Sequence, residues 1–136
     1  MSRLSLHAFD TGLEEAGRIG QRLGVAVRPV KVHHFPDGES LVTVVPSEST
    51  VVIYASLDHP NERMMDLLLA AEALRRNGAT RLVLVAPYLC YMRQDKAFHE
   101  GEAISQRLLG DLLGRKFDRI VTIRSNLRPS NSPKRR

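Results

Sequence analysis

Residues 81–105 read RLVLVAPYLCYMRQDKAFHEGEAIS, and this stretch decides the kind of fold. Arg81 to Ala86 is short, rich in Leu and Val and ended by Pro87, the pattern of a strand buried inside a sheet. Behind it, Arg93-Gln94-Asp95-Lys96 sets a guanidinium, an amide, a carboxylate and an ammonium next to one another with no apolar break. Gly101 closes the loop, and Ala103-Ile104-Ser105 leads into Leu108, Leu109, Leu112 and Leu113 at helical spacing. A strand, a polar loop and a helix in that order form the unit of an open α/β sheet, where ligands gather outside the carboxyl ends of the strands. A loop of this length needs a reason to be ordered, and a bound polyanion would supply one.

The same alternation runs on both sides of that unit. Leu4 to Ala8 alternates as a strand, and Leu13, Ala16, Ile19 and Leu23 share one helical face that Gly24 ends. Val25 to His33 is a second strand, interrupted by Phe35-Pro36-Asp37-Gly38-Glu39, whose Pro-Asp-Gly makes a tight turn into a strand over Leu41 to Val45. Val51 to Ala55 is a short apolar strand. The longest helix is expected over Asn61 to Asn77, with Asn61 as its cap and Met65, Leu68, Leu69 and Ala73 facing inward. A helix over Ile104 to Leu113 and a last strand over Arg119 to Ile123 complete the pattern. Strands alternating with helices predict a three-layer α/β domain on a mainly parallel sheet with one local hairpin at the FPDGE turn.

A chain of 136 residues with 43% hydrophobic content can bury one core, so a single domain over residues 1–123 is expected. The single cysteine, Cys90, rules out an intrachain disulfide and a thiolate zinc site, which favours a reducing, cytoplasmic compartment. No apolar run approaches the roughly 20 residues of a membrane span, so no membrane partner is expected. The net charge of +5 suggests nucleic acid, but its placement argues otherwise. Arg124, Arg128, Lys134, Arg135 and Arg136 equal the whole excess, in a segment with two prolines, three serines and no acid. Residues 124–136 read as a basic, disordered tail, and no specific nucleic-acid partner is expected.

Two groups of residues can carry chemistry, each with a plainer alternative. Arg93 is the best phosphate ligand, because a guanidinium fork binds phosphate oxygens in bidentate fashion and keeps its charge; Gln94 can donate and accept beside it. Arg93 and Asp95 can equally form an ion pair that only holds the loop. Phe35 can stack on a flat base while Asp37 and Glu39 accept from amino or hydroxyl groups, yet Pro-Asp-Gly is also a common turn. His33 and His34, adjacent on a strand, point to opposite faces and do not share a metal. The phosphate-loop, dinucleotide and serine-nucleophile motifs are absent, and Cys90 has no base beside it.

FPDGE at 35–39, NERMMDLLLAAEALRRNGA at 61–79 and PYLCYMRQDKAFHEGEAIS at 87–105 together resemble the amino-terminal domain of ribose-phosphate pyrophosphokinases, the synthetases of phosphoribosyl pyrophosphate. The likeness covers about residues 4–123, and RQDKxFxxGEAIS is most similar to the archaeal-type branch. The resemblance implies a type I phosphoribosyltransferase-like fold and a cytoplasmic, homo-oligomeric enzyme of nucleotide biosynthesis. That enzyme moves the β,γ-diphosphate of ATP to the anomeric hydroxyl of ribose 5-phosphate with Mg2+. It also implies ATP binding by Arg93 and Gln94, and by Phe35, Asp37, Gly38 and Glu39 of a loop that usually serves a neighbouring subunit.

The chain departs from the family after residue 123. Asn126 stands where the family has a histidine that serves the metal and triphosphate. Nothing matches the carboxyl-terminal domain, with its TGGT-type loop for ribose 5-phosphate and its mobile basic loop. The expectation is an amino-terminal half that is truncated and inactive alone, without catalytic or metal-ligating residues of its own. The alternative is a non-catalytic subunit that associates with full-length relatives.

Overall fold

The computed structural model describes residues 3–93 and 95–122; Gln94, Ile123 and the expected tail 124–136 lie outside the described residues. The elements follow as β1 (Leu4–Phe9), α1 (Leu13–Leu23), β2 (Val27–His34), β3 (Ser40–Val44), β4 (Thr50–Tyr54), α2 (Pro60–Arg76), β5 (Arg81–Val85), α3 (Ser105–Lys116) and β6 (Arg119–Val121). They build one six-stranded sheet in the order β3-β2-β1-β4-β5-β6. All neighbours are parallel except β2 and β3, which form the expected antiparallel hairpin. Apart from shifts of one to three residues at their ends, the elements are those read from the sequence.

Two clusters fill the space between the layers. On one face, Leu67, Ala70, Ala71 and Leu74 of α2 and Leu109 and Leu113 of α3 pack over Val51, Ile53, Leu82 and Leu84. On the other, Ala16 of α1 packs over Leu6, Ala8, Val52 and Tyr54. The three layers are therefore α1, the sheet, and α2 with α3. This arrangement follows from right-handed crossovers: the chain moves one way from β1 to β2 and the other way from β4 to β6, so the helices fall on opposite faces. The reversal opens a crevice between the carboxyl ends of β1 and β4.

Helix α2, and α1 in part, sit rotated from the expected faces. Of the four residues expected to face inward from α1, Ala16 is buried and Ile19 packs against the same cluster, but Leu13 and Leu23 are 36% and 50% exposed, and Gly12 and Gly20 face the sheet as well. A Cβ on Gly20 would stand 2.6 Å from the Val25 carbonyl oxygen, and one on Gly12 would stand 2.8 Å from the Tyr54 ring. Small residues at i, i+4 and i+8 let the helix axis approach closer than a leucine stripe allows. In α2 the inward set is Leu67, Ala70, Ala71 and Leu74, while Met65 is 58% exposed and Leu68, Leu69 and Ala73 are half-buried. With apolar side chains around much of its circumference, periodicity could not choose the face of α2; the sheet did. Its N-cap is His59, not Asn61, because Pro60 occupies the first helical position, where its missing N–H costs nothing. In α3, Leu108 is exposed while Leu109 and Leu113 are buried.

Candidate functional site: the β5–α3 loop and the β2–β3 hairpin

The chain leaves β5 pinned from several sides. The Ala86 N–H donates to the Val121 carbonyl at 2.9 Å. Cys90 is buried in the core, with Leu89 and Tyr91 packed against the same cluster. Burial pushes the Cys90 thiol up from its usual range, which disfavours the thiolate. Tyr91 takes a φ of 60°, the left-handed region that non-glycine residues rarely adopt. The surrounding packing holds that conformation, and the chain turns there out of the core toward Arg93.

The far side of the loop is held by two further contacts. The Gln106 amide donates to the Met92 sulfur at 3.4 Å, tying the residue before Arg93 to the first turn of α3. The Glu102 carboxylate accepts the N–H groups of Phe98 and His99 at 3.0 and 3.1 Å, and its other oxygen lies 3.1 Å from His99 Nδ1. Gly101 turns with a φ of 91°, as its closing role requires. Lys96 lies with its ammonium 5.6 Å from the centre of the Phe98 ring, a cation over an aromatic face.

Between those anchors Arg93 is exposed, and among the described residues it forms no hydrogen bond or ion pair. The Arg93–Asp95 pair that would have made the loop merely structural is not formed. What stands at the carboxyl end of β5 is a guanidinium on an anchored backbone, with its donors unspent. Gln94 lies outside the described residues.

The FPDGE segment closes the β2–β3 hairpin. Phe35 N–H donates to the Glu39 carbonyl and Gly38 N–H to the Phe35 carbonyl, both at 2.8 Å. Asp37 Oδ1 accepts the Glu39 N–H at 3.0 Å, and Gly38 has a φ of 97°. Asp37 thus spends one oxygen on the turn, as the plainer reading of Pro-Asp-Gly expected. Phe35 is not used up in the same way: it is 41% exposed and stands edge-on to His33 at 4.9 Å. Leu41, the cross-strand partner of His33, is 52% exposed.

The hairpin and the Arg93 loop emerge at the same end of the sheet from strands that are not neighbours. β2 and β5 are separated by β1 and β4, three strand spacings or about 14 Å. Within one chain, Phe35, Asp37, Gly38 and Glu39 form one group and Arg93 another. Sequence reasoning missed the Glu102 clamp and the turn at Tyr91. Glu102 is visible only as the carboxylate following Gly101, a weak signal; nothing in the residue type announces Tyr91.

The family model described as the N-terminal domain of ribose phosphate pyrophosphokinase matches residues 5–116. The ribose-phosphate pyrophosphokinase of Methanopyrus kandleri is 32% identical over 118 residues, which cover 85% of this chain and 40% of that protein. The Pyrococcus abyssi protein of the same name is 36% identical over 108 residues, covering 79% and 36%. The crystal structure of phosphoribosylpyrophosphate synthetase from Mycobacterium smegmatis superimposes with a TM-score of 0.79 at 32% identity, covering 92% of this chain and 44% of that one. The chain thus spans about two fifths of the length of the relatives it matches.

Proposed function

The chain belongs to the ribose-phosphate pyrophosphokinase family through its amino-terminal domain, and from that premise we propose that it supplies an ATP-binding surface shared between two copies. The observation that carries this reading is the exposed, unspent guanidinium of Arg93 on a loop anchored at both ends. A triphosphate brings the negative oxygens that a guanidinium fork matches, and a fixed backbone keeps the contact from costing loop order.

Phe35, Asp37, Gly38 and Glu39 complete the site from a second copy, because β2 and β5, which lead to the two loops, stand about three strand spacings apart. The half-exposed Phe35 and Leu41 on the hairpin supply apolar surface for that contact. Gln94 assists Arg93. The reaction this surface serves is transfer of the β,γ-diphosphate of ATP to the anomeric hydroxyl of ribose 5-phosphate. The contribution of these residues is to position the chain of phosphates and offset its charge. Among the described residues no three His, Cys, Asp or Glu side chains converge as a metal site. Asn126, which stands where the resemblance places the family's metal histidine, lies outside the described residues.

The 136 residues alone carry one part of this machinery. Purified chain incubated with ATP, Mg2+ and ribose 5-phosphate is expected to form no AMP above background. AMP formation that depends on ribose 5-phosphate would overturn the reading of a partial site. A second reading, a subunit that binds and does not catalyse, rests on the same apolar hairpin surface. It predicts co-elution with a full-length relative and a changed AMP rate in the mixture.

A further inference from the structure

The FPDGE hairpin reaches helix α2 through a single polar link. Val42 and Val44 of β3 pack against the same cluster as Leu67, Ala70 and Leu74 of α2. Beyond them a groove of about 640 Å3 separates the hairpin from the helix, with Gly38, Glu39 and Ser40 on one side and Asn61, Met65 and Leu69 on the other. His34, the last residue of β2, lines the same groove. Its Nε2 lies 3.5 Å from Asp66 Oδ2 on α2. Among the described residues no other hydrogen bond or ion pair joins residues 34–44 to α2.

At 3.5 Å the contact is too long for a strong hydrogen bond, so its strength comes from charge, which His34 carries only when protonated. The Asp66 side chain is 13% exposed, and among the described residues His34 is its one partner. The other carboxylate oxygen, Oδ1, is buried and accepts no hydrogen bond. A carboxylate shielded in this way depends on its counter-charge, because losing the partner leaves a charge that water does not fully solvate. His34 itself is 61% exposed, so water weakens the pair and its loss biases the hairpin without unfolding it.

The other charges around His34 do not duplicate the link. The two hollows that His34 lines hold the carboxylates of Asp10, Glu39, Glu62 and Asp66, and one guanidinium, that of Arg63. Arg63 is engaged elsewhere: its Nε stands 3.3 Å from Asp58, and its Nη1 donates to the Thr11 hydroxyl at 2.6 Å. Across the hairpin His34 faces the uncharged Ser40. A histidine gains and loses its charge between about pH 5 and 8. We propose that His34 is a positioning residue whose proton braces the FPDGE hairpin against Asp66 of α2. The cation is the form that pairs, so the brace is present at the acid end of that range and is lost as pH rises through it. Its consequence for ATP, through the placing of Phe35 and Glu39, rests on the function proposed above; the brace itself does not.

The test follows the whole 15N-labelled chain without nucleotide. Between about pH 5.5 and 8 the amide signals of Phe35, Gly38 and Glu39 should move with one midpoint, that of the His34 ring. Over the same range the exchange protection of those amides, corrected for intrinsic rates, should fall about twofold to fivefold. His33 stands edge-on to Phe35 at 4.9 Å and also titrates, so the profile is expected to survive His33→Gln. Asp66→Asn and His34→Gln should each flatten the profile at the released level, and His34→Arg at the braced level. Changing either end of the pair keeps the test decisive if one variant does not fold. A wild-type hairpin indifferent to pH, a profile that persists in His34→Gln, or one that disappears in His33→Gln would each overturn the proposal. An intact profile beside unchanged ATP affinity in Phe35→Ala would support the brace and remove only the ATP reading of the hairpin.

Discussion

The carboxylate of Asp118 accepts the backbone N–H of Leu82 at 2.8 Å, and the N–H of Asp118 donates to the Leu82 carbonyl at 2.8 Å. The exit of α3 is thereby fastened to the start of β5, the strand that carries the Arg93 loop. Arg75 at the end of α2 joins the same carboxylate at 3.1 Å and caps the Lys116 carbonyl at 2.9 Å. One aspartate ties together three elements on the α2–α3 side of the sheet.

The Leu82 N–H, and after it the Arg75 guanidinium, hold the Asp118 carboxyl below its ordinary 3.8. A depressed carboxyl stabilises the fold above that ordinary value and loses the contribution as pH falls through the lower, folded value. Because the carboxylate is 40% exposed and partly screened by water, Asp118→Asn should destabilise the chain by no more than about 1 kcal/mol at pH 7. Urea midpoints of wild type and variant should converge as pH falls below 3.8. A constant gap across that range would assign the effect to geometry and not to charge.

His7 should make stability fall in a higher window. It is fully buried in β1, 3.0 Å from the Ser5 hydroxyl, and burial followed by the charge of Arg28 lowers its pKa from 6.5 to about 4. Between those values the unfolded chain holds a proton that the folded chain does not, so stability drops as pH falls from 6.5 toward 4. The loss should reach up to about 3 kcal/mol. His7→Leu should flatten chemical denaturation midpoints over that window, and an unchanged slope in the variant would remove His7 as the cause.

Two glycine substitutions should act in opposite directions. Gly20→Ala places a Cβ 2.6 Å from a backbone oxygen that cannot yield, and should cost about 1–3 kcal/mol as the α1 layer is pushed off the sheet. Gly110→Ala, in α3 with nothing within 4 Å of the added Cβ, should stabilise by about 0.5–1 kcal/mol. Thermal unfolding of both variants checks the pair; a neutral Gly20→Ala would mean that the close approach is not tight.

The order of strands and helices was legible because each apolar run is short, has one period and is closed by Gly or Pro. Leu13–Leu23, ended by Gly24, and Arg81–Val85, followed by Pro87, are examples. The face of α2 was not legible, and that of α1 only in part. In α1, Ala16 and Ile19 pack as their spacing predicts, but the sheet also selects Gly12 and Gly20 for closeness, where hydrophobicity points to Leu13 and Leu23. In α2 apolar residues surround the axis. At the candidate site the residue types of Arg93 and of FPDGE were readable, but their separation across β1 and β4 was not. That distance is a property of strand order, which the 3.6 and 2.0 periods do not encode.

Arg93 is an anchored cation whose donors are free for a polyphosphate. A bidentate contact of that kind contributes on the order of 1.5–3 kcal/mol, a modest part of any tight complex, so ATP should bind the isolated chain at about millimolar concentration. Titrating ATP into wild type and Arg93→Ala by calorimetry should show binding in the first and at least about a tenfold loss in the second. Equal affinity in the two proteins would contradict the account and leave the β5–α3 loop a structural connection.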